Sequence, residues 1–202
     1  MSQVHYAVDV YKHILQLNGH IENELHSALQ QSFEWILQAS QIEQVIIDMR
    51  QTRIIDSIGL GLLAAFALEL HKKHGLIACI YSNGYGKTKS IFDALYLDSL
   101  FRWEFKFNNH VSAEAKGFRV LPLQEVESDI CKRSLRAHKT LIQAHAANEA
   151  EFSSIVASLE FEVALLKSPE VMLGPSLSQT QPRSLDCHEA ATQARTPMSR
   201  LH

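Results

Sequence analysis

The sequence predicts an α/β fold, in which a sheet is covered by helices on at least one face. Two observations lead to this prediction. Short β-branched apolar runs, such as Val45 to Met49, alternate with stretches of helical spacing through residues 1–107. Glycine and asparagine separate these segments at turn positions. Strands that alternate with helices form parallel pairs joined by crossover connections.

The first elements are a predicted strand hairpin and a helix. Val4 to Val10 and His13 to Leu17 are short apolar-rich runs, and Asn18-Gly19 is interpreted as the turn that ends the second run. A helical pattern begins at Glu22, with Asn23 as a candidate cap. One face of this helix is expected to be buried, and it comprises Leu25, Ala28, Leu29, Ser32, Phe33 and Ile36.

The middle of the chain continues the alternation of strand and helix. The run Val45 to Met49 predicts a buried strand, followed by a loop and a helix from Ser57 to His74 that Gly75 ends. The buried stripe of this helix is predicted to be Leu60, Leu63, Phe66, Ala67 and Leu70. Further elements are a strand at Leu76–Tyr81, a loop at 82–86, a helix at Lys87–Tyr96 and a last strand at Trp103–Phe107.

The second half of the chain differs in character from the first. Residues 108–121 are predicted to be a connector, and 122–168 a long helical extension that starts at Pro122. Its apolar stripe either docks back on the domain or pairs with another helix, and the pattern does not decide between them. The stripe comprises Leu141, Ala144, Phe152, Ile155, Leu159, Val163 and Leu166, with polar Asn148 as an interruption. Residues 169–202 are rich in Pro, Ser, Thr and Gln, which predicts a disordered tail.

Composition narrows the class of protein. The 202 residues carry a net charge of −3, which gives no reason to expect binding to nucleic acid or a membrane surface. No apolar run approaches the ~18–20 residues that span a bilayer. The cysteines Cys79, Cys131 and Cys187 are few and widely spaced, so a reduced cytoplasmic location without a disulfide framework is expected.

The segment with the clearest functional content lies around Ser57. Asp56-Ser57 falls where a helix is predicted to begin, and the Ser57 hydroxyl is expected to cap that helix. Gly59 and Gly61 follow in the first turns, where each costs up to ~1 kcal/mol relative to alanine. Their lack of a side chain leaves room for the backbone of another protein, which favours a recognition surface.

This segment resembles the signature of the STAS domain family, which includes the bacterial anti-sigma factor antagonists. The family pattern is an apolar strand ending in Asp, here Asp48, then a loop and the motif Asp56-Ser57-Ile58-Gly59-Leu60-Gly61. Two further features match, the run Leu17-Asn18-Gly19-His20-Ile21-Glu22 and the run Leu97-Asp98-Ser99-Leu100-Phe101. The resemblance covers about residues 4–107, or half of the chain.

The resemblance implies a mostly parallel sheet of four or five strands with helices on one side, and a regulatory protein rather than an enzyme. It maps the family's phosphorylated serine to Ser57. It implies two partners, an anti-sigma factor that is also an ATP-dependent serine kinase, and a metal-dependent serine phosphatase. Ile58 replaces the family's second hydroxyl and Glu22 its acidic Asp. The implied partner surface comprises Asn18, Glu22, Asp56, Ile58, Gly59 and Gly61.

Phosphorylation would then act through charge. Phosphate adds about −1.5 to −2 charges, which the amide groups and dipole of a helix start tolerate. The domain is therefore expected to stay folded while the dianion beside Asp56 prevents a partner from docking.

Enzymatic and metal-binding alternatives have less support. Ser57 lacks the Gly-x-Ser-x-Gly nucleophile pattern because residue 55 is Ile, and the sequence identifies no histidine to serve it. The loop Asn83 to Thr88 lacks the first glycine of a phosphate-binding loop. Two pairs of histidines lie on predicted helices, His71 with His74 and His138 with His145. Neither pair has a Cys or carboxylate at a spacing that would complete a tetrahedral metal site, so no metal or cofactor is expected.

A second function stays open at this point. The chain could be a STAS domain that is never phosphorylated and serves as a scaffold subunit of a transport or stress-signalling assembly. The C-terminal helical extension favours assembly, including self-association. A phosphorylation assay separates this role from the switch.

Overall fold

The structure is a computed structural model that describes residues 2–23, 25–84, 86–105, 119–120 and 127–167. Within these residues, the protein forms a six-stranded sheet and five α-helices. The strands are β1 (Gln3–Asp9), β2 (Lys12–Ile21), β3 (Gln44–Ile55), β4 (Cys79–Tyr81), β5 (Arg102–Glu104) and β6 (Arg119–Val120). The helices are α1 (Leu25–Gln38), α2 (Ser57–His74), α3 (Lys87–Ala94), α4 (Glu127–Ala144) and α5 (Glu149–Lys167).

The sheet is mostly parallel, which confirms the predicted fold class. Its strand order is β5-β4-β3-β2-β1-β6. The pairs β2–β3, β3–β4 and β4–β5 are parallel, while β1 is antiparallel to both of its neighbours. The sixth strand was not expected, because Arg119–Val120 falls inside the predicted connector 108–121. Most of that connector lies outside the described residues.

All five helices contribute to one hydrophobic core on one face of the sheet. Alternate strand residues such as Leu15 and Ile47 point into this core, as the two-residue side-chain period requires. Phe33 of α1 stacks on Phe66 of α2 with ring centroids 4.2 Å apart. The opposite face of the sheet carries a small separate cluster. The stripes predicted for α1 and α2 are confirmed, because every residue named in them is buried.

The N-terminal hairpin is confirmed, but the turn predicted at Asn18-Gly19, as the end of the second strand, is wrong. The chain reverses at Val10 and Tyr11, and β2 runs on through Gly19 to Ile21. Gly19 has a positive φ of 76° and lies at a register shift between β2 and β3. A left-handed glycine within a strand is typical of a bulge, so this turn signal marked a bulge instead.

Strand β3 is longer than predicted. The prediction ended it at Asp48-Met49, but pairing with β2 continues to Ile55. The residues between Met49 and Ile55 are mostly polar and lack an apolar pattern, which is why the sequence predicts a loop there. Their backbone groups are instead satisfied by the parallel partner strand. The long strand leaves only Asp56 between β3 and α2, so the start of α2 is held directly by the sheet.

Helix α2 has the predicted bounds, Ser57 to His74. Gly75 ends it in the left-handed conformation with φ 68°, and its N–H donates to the carbonyl of His71 at 2.8 Å. The strand predicted at Leu76–Tyr81 and the helix predicted at Lys87–Tyr96 are found but are shorter than expected. The strand predicted at Trp103–Phe107 is found at Arg102–Glu104, and residues 106–107 of that prediction lie outside the described residues.

The prediction of one long C-terminal helix is wrong. Helices α4 and α5 are separated by a 3₁₀ turn at Ala146–Asn148. Asn148 is buried, and its side-chain amide donates to the carbonyls of Leu95 and Leu141, each at 2.9 Å. Asn148 therefore ends the first helix and ties the turn to the domain. The predicted start at Pro122 and the predicted tail 169–202 lie outside the described residues, and the division into domains stays a prediction.

The α4–α5 hairpin (residues 127–167) docks on the domain, which is one of the two alternatives that the apolar stripe left open. Ala137, Leu141 and Phe152 belong to the main core, and α4 packs along α2. By contrast, Leu166 at the end of the predicted stripe is 52% exposed.

Two further observations concern general properties of the chain. Among the described residues, Cys79 is a free, buried thiol. Among the described residues, no helix combines the length and the apolar character that crossing a membrane requires.

Candidate switch site at the start of helix α2

Asp56 is the cap of helix α2. Its backbone is extended, with φ −87° and ψ 176°, and its Oδ1 accepts a hydrogen bond from the Gly59 N–H at 2.8 Å. The prediction that the Ser57 hydroxyl caps this helix is therefore wrong. Ser57 is already the first helical residue, one position too late to reach the free amides of the first turn.

The Asp56 carboxylate also holds α1 against the start of α2. The Nε2–H of His26 donates to Asp56 Oδ1 at 2.9 Å, and both side chains are buried. One buried oxygen thus satisfies two donors from two different elements. A buried carboxylate needs such partners, since an unpaired charge in the interior is costly. Sequence reasoning missed His26, although Leu25 and Leu29 of the same helix are on the face predicted to be buried.

Ser57 lies at the predicted helix entrance and is partly exposed. Its Oγ is 3.0 Å from Nε2 of His138, which belongs to α4 and is fully buried. Nδ1 of His138 is 2.8 Å from the carbonyl oxygen of Ser134. A carbonyl only accepts, so Nδ1 carries a proton and donates.

Burial sets the protonation state of His138. Desolvation lowers the pKa of His138, with smaller opposing effects from the Ser134 carbonyl and the charge of Asp56. The neutral ring with its proton on Nδ1 has a lone pair on Nε2, so the Ser57 hydroxyl donates to it. The Ser57–His138 hydrogen bond therefore links the candidate switch residue to the C-terminal hairpin.

His138 is the main functional residue that sequence reasoning missed. It lies 81 positions from Ser57 in the chain. The one available signal was that His138 falls between Ser134 and Leu141 at helical spacing, but a histidine on a buried face is ordinary in a core. Because the ring is oriented by a backbone carbonyl and not by a carboxylate, the pair lacks the third group of a catalytic triad.

The other predicted surface residues of α2 are covered. Ile58 is 3% exposed and belongs to the hydrophobic core. A Cβ at Gly59 would lie 2.9 Å from the side chain of Ile55. A Cβ at Gly61 would lie 2.5 Å from the carbonyl oxygen of Ala137 on α4. In this conformation Ser57 is accessible while the face that follows it is filled by the protein's own helix.

Asn18 on β2 and Glu22 just after β2, which were both predicted to lie on the partner surface, have different surroundings. Glu22 follows Ile21, whose carbonyl accepts the Asp56 N–H at 3.3 Å, so Glu22 lies beside the start of α2. Asn18 lines a cleft of about 410 Å³ together with Arg50 and Arg53. Among the residues that the structure describes, the buried Oδ1 of Asn18 has no hydrogen-bond partner. Within the described ranges, no cluster of three or more His, Cys, Asp or Glu side chains could hold a metal.

The lowered pKa of His138 gives a pH prediction. A group whose pKa is depressed by folding stabilises the fold above its unfolded pKa, and this stability is lost as pH falls. We therefore expect the free energy of unfolding to fall progressively below about pH 6.5, the ordinary histidine value. His13, whose pKa burial also lowers, contributes in the same direction.

Urea unfolding at pH 7.5 and pH 5.5 measures this effect. His138→Gln keeps a hydrogen-bonding side chain that does not titrate, so the pH dependence should be smaller in this variant, and His13→Gln should remove a separate part. An identical loss of stability between the two pH values in His138→Gln and the unmodified chain would contradict the assignment.

Comparison with known proteins gives a likeness in fold only. No protein-family model matches the chain, and no curated protein matches it. Two solved structures that match are the anti-sigma factor antagonist SpoIIAA in its unphosphorylated form and an anti-sigma factor antagonist from Mycobacterium paratuberculosis. The first has 13% identity and a TM-score of 0.44, and the match covers 56% of this chain and 96% of that one. The second has 19% identity and a TM-score of 0.46, with 56% and 93% covered.

Proposed function

We propose that this protein is a phospho-regulated interaction switch of the anti-sigma factor antagonist type. Unphosphorylated, it binds an anti-sigma factor that is also a serine kinase; phosphorylated on Ser57, it releases that partner. A metal-dependent serine phosphatase restores the binding form. The exchange takes place in the cytoplasm, where ATP supplies the phosphate, and the chain itself needs no catalytic activity.

One observation carries this proposal. Ser57 is partly exposed at the first position of an 18-residue helix, directly after the buried Asp56 cap. A kinase can approach a residue in this position without unfolding the domain. The cap and the hydrophobic core beneath it do not depend on the Ser57 side chain, because Asp56 and His26 hold the helix start.

The electrostatics of the position support release by phosphate. Phosphate at a helix start is compatible with the positive end of the dipole, so the fold survives. A docking partner would have to desolvate a dianion that lies beside the Asp56 carboxylate. Each ~1.4 kcal/mol of this penalty lowers the affinity tenfold, so a few kcal/mol suffices to abolish binding.

The test is capture of the partner by tagged chains from extracts of the source organism. We expect the unmodified chain and Ser57→Ala to capture the same protein with a serine-kinase fold. Ser57→Asp should capture at least tenfold less, because its carboxylate places a negative charge at the docking surface. Quantitative mass spectrometry of the captured proteins measures this ratio.

The matched control is Ser99→Asp. Ser99 is exposed on the 3₁₀ turn at Asp98–Leu100, so this variant adds the same charge elsewhere on the surface. It should capture the partner as well as the unmodified chain does. Equal capture by Ser57→Asp and Ser57→Ala would contradict the switch and favour the scaffold role.

A further inference from the structure

The face of α2 that follows Ser57 is shaped to receive a helix. At Gly61 the backbones of α2 and α4 touch, since a Cβ there would lie 2.5–2.7 Å from three backbone atoms of Ala137. Small residues at a crossing point allow two helices to approach this closely. A glycine inside a helix costs about 1 kcal/mol relative to alanine, so Gly61 is explained by the helix that it accommodates.

The contacts around this crossing combine polar and apolar groups. Ser57 pairs with His138 on one side of the crossing, and Leu141 is fully buried on the other. Arg133 Nε donates to Gln30 Oε1 on α1 at 3.1 Å. If α4 leaves α2, these polar groups can form hydrogen bonds with water or with another protein instead. When α4 undocks, the apolar surface that it buries against the domain becomes exposed to water, which is unfavourable. Another apolar helix that docks in place of α4 would bury the apolar surface of the domain again.

We propose that this face of α2 is a helix-binding site, filled in the free protein by its own α4, and that the partner presents a helix that displaces α4. The recognising chemistry is an apolar helix face with a small residue opposite Gly61 and a hydrogen-bond acceptor opposite Ser57. This inference deepens the proposed function, since the site adjoins the candidate switch. The α4–α5 hairpin is then an intramolecular competitor of the partner.

Ala137→Leu tests this directly in the full chain. Ala137 is 1% exposed against Gly61, so leucine cannot fit there, while its helix propensity is similar to that of alanine. The domain beneath is unchanged in sequence. Arg136→Leu is the matched control, because it introduces the same residue at the neighbouring exposed position of α4.

Two measurements decide the outcome. Amide hydrogen exchange of α4 and α5 should be at least tenfold faster in Ala137→Leu than in the unmodified chain, with β2, β3 and α1 unchanged. A fluorescent peptide with the sequence of residues 127–144 should bind Ala137→Leu in trans under reducing conditions. It should not bind the unmodified chain or Arg136→Leu, in which the site is filled.

Either of two results would overturn the inference. Loss of protection throughout the sheet would show that the hairpin is an integral part of the fold and not a competitor. Failure of the peptide to bind the opened chain would show that the face has no affinity for a helix. Neither measurement uses a kinase, so these results are independent of whether Ser57 is phosphorylated in the cell.

Discussion

Phosphoserine at position 57 is expected to speed the hydrogen exchange of the amides in α4 and α5 by about tenfold. The phosphorylated oxygen has no proton, so it cannot donate to Nε2 of His138 as the hydroxyl does at 3.0 Å. The neutral, fully buried ring is left with an unsatisfied acceptor, and the phosphate turns outward to solvent. An unsatisfied buried group costs about 1–3 kcal/mol, and 1.4 kcal/mol corresponds to tenfold in the opening equilibrium.

Genetic incorporation of phosphoserine makes this measurement independent of any kinase. Ser57→Ala serves as the control, since it removes the same hydrogen bond without adding charge, and an effect of similar size is expected. The amides of β2 and β3 should exchange as slowly as in the unmodified chain. Slower exchange in α4 would contradict the prediction, because it would mean that His138 becomes protonated and pairs with the phosphate.

Asp56→Ala is expected to lower the free energy of unfolding by about 2–4 kcal/mol. This substitution leaves two buried donors without an acceptor, the Gly59 N–H and the His26 Nε2–H. Loss of a helix cap costs about 0.5–2 kcal/mol, and a buried donor left unpaired costs about 1–3 kcal/mol. The contributions overlap because the two donors share Oδ1, so the sum is an upper limit.

Urea unfolding followed by tryptophan fluorescence measures this loss, since Trp35 and Trp103 lie in different parts of the fold. Asp56→Asn is the matched control, because its amide oxygen can still accept both hydrogen bonds, and it should lose about half as much. An Ala variant no less stable than the Asn variant would show that the two hydrogen bonds do not hold the helix start.

Much of the fold of residues 1–107 was predictable because its elements carry local signals. The helical spacing of α1, the β-branched run in β3 and Gly75 after α2 each depend on a few neighbouring residues. The errors arose where tertiary contacts decide. The polar end of β3 is a strand only because β2 pairs with it, and Gly19 is a bulge and not a turn for the same reason.

The candidate site was predictable in part. The position of Ser57 at a helix entrance followed from the strand–helix pattern. Asp56 is close to Ser57 because the two residues are consecutive in the chain. Asp56, and not Ser57, caps α2 because β3 extends to Ile55, and the apolar pattern of the sequence could not indicate this length of β3. The contact with His138 depends on how the C-terminal hairpin docks, and a single apolar stripe does not specify its docking partner.

The asparagine in the hairpin illustrates the same limit. Asn148 interrupts an apolar stripe in the sequence, which is compatible with either a polar surface residue or a break. Its role as a buried link between Leu95 and Leu141 depends on carbonyls that are 53 and 7 positions away. Such long-range hydrogen bonds leave no periodic signature.

The most direct test of the central claim is the phosphorylation state of Ser57 in the partner-bound and unbound chain from cells. Mass spectrometry of the two fractions, separated under native conditions, measures this in one experiment. The switch predicts phosphate on Ser57 in the unbound fraction and unmodified Ser57 in the bound fraction. Phosphate on another residue only, or equal phosphate on Ser57 in both fractions, would contradict it.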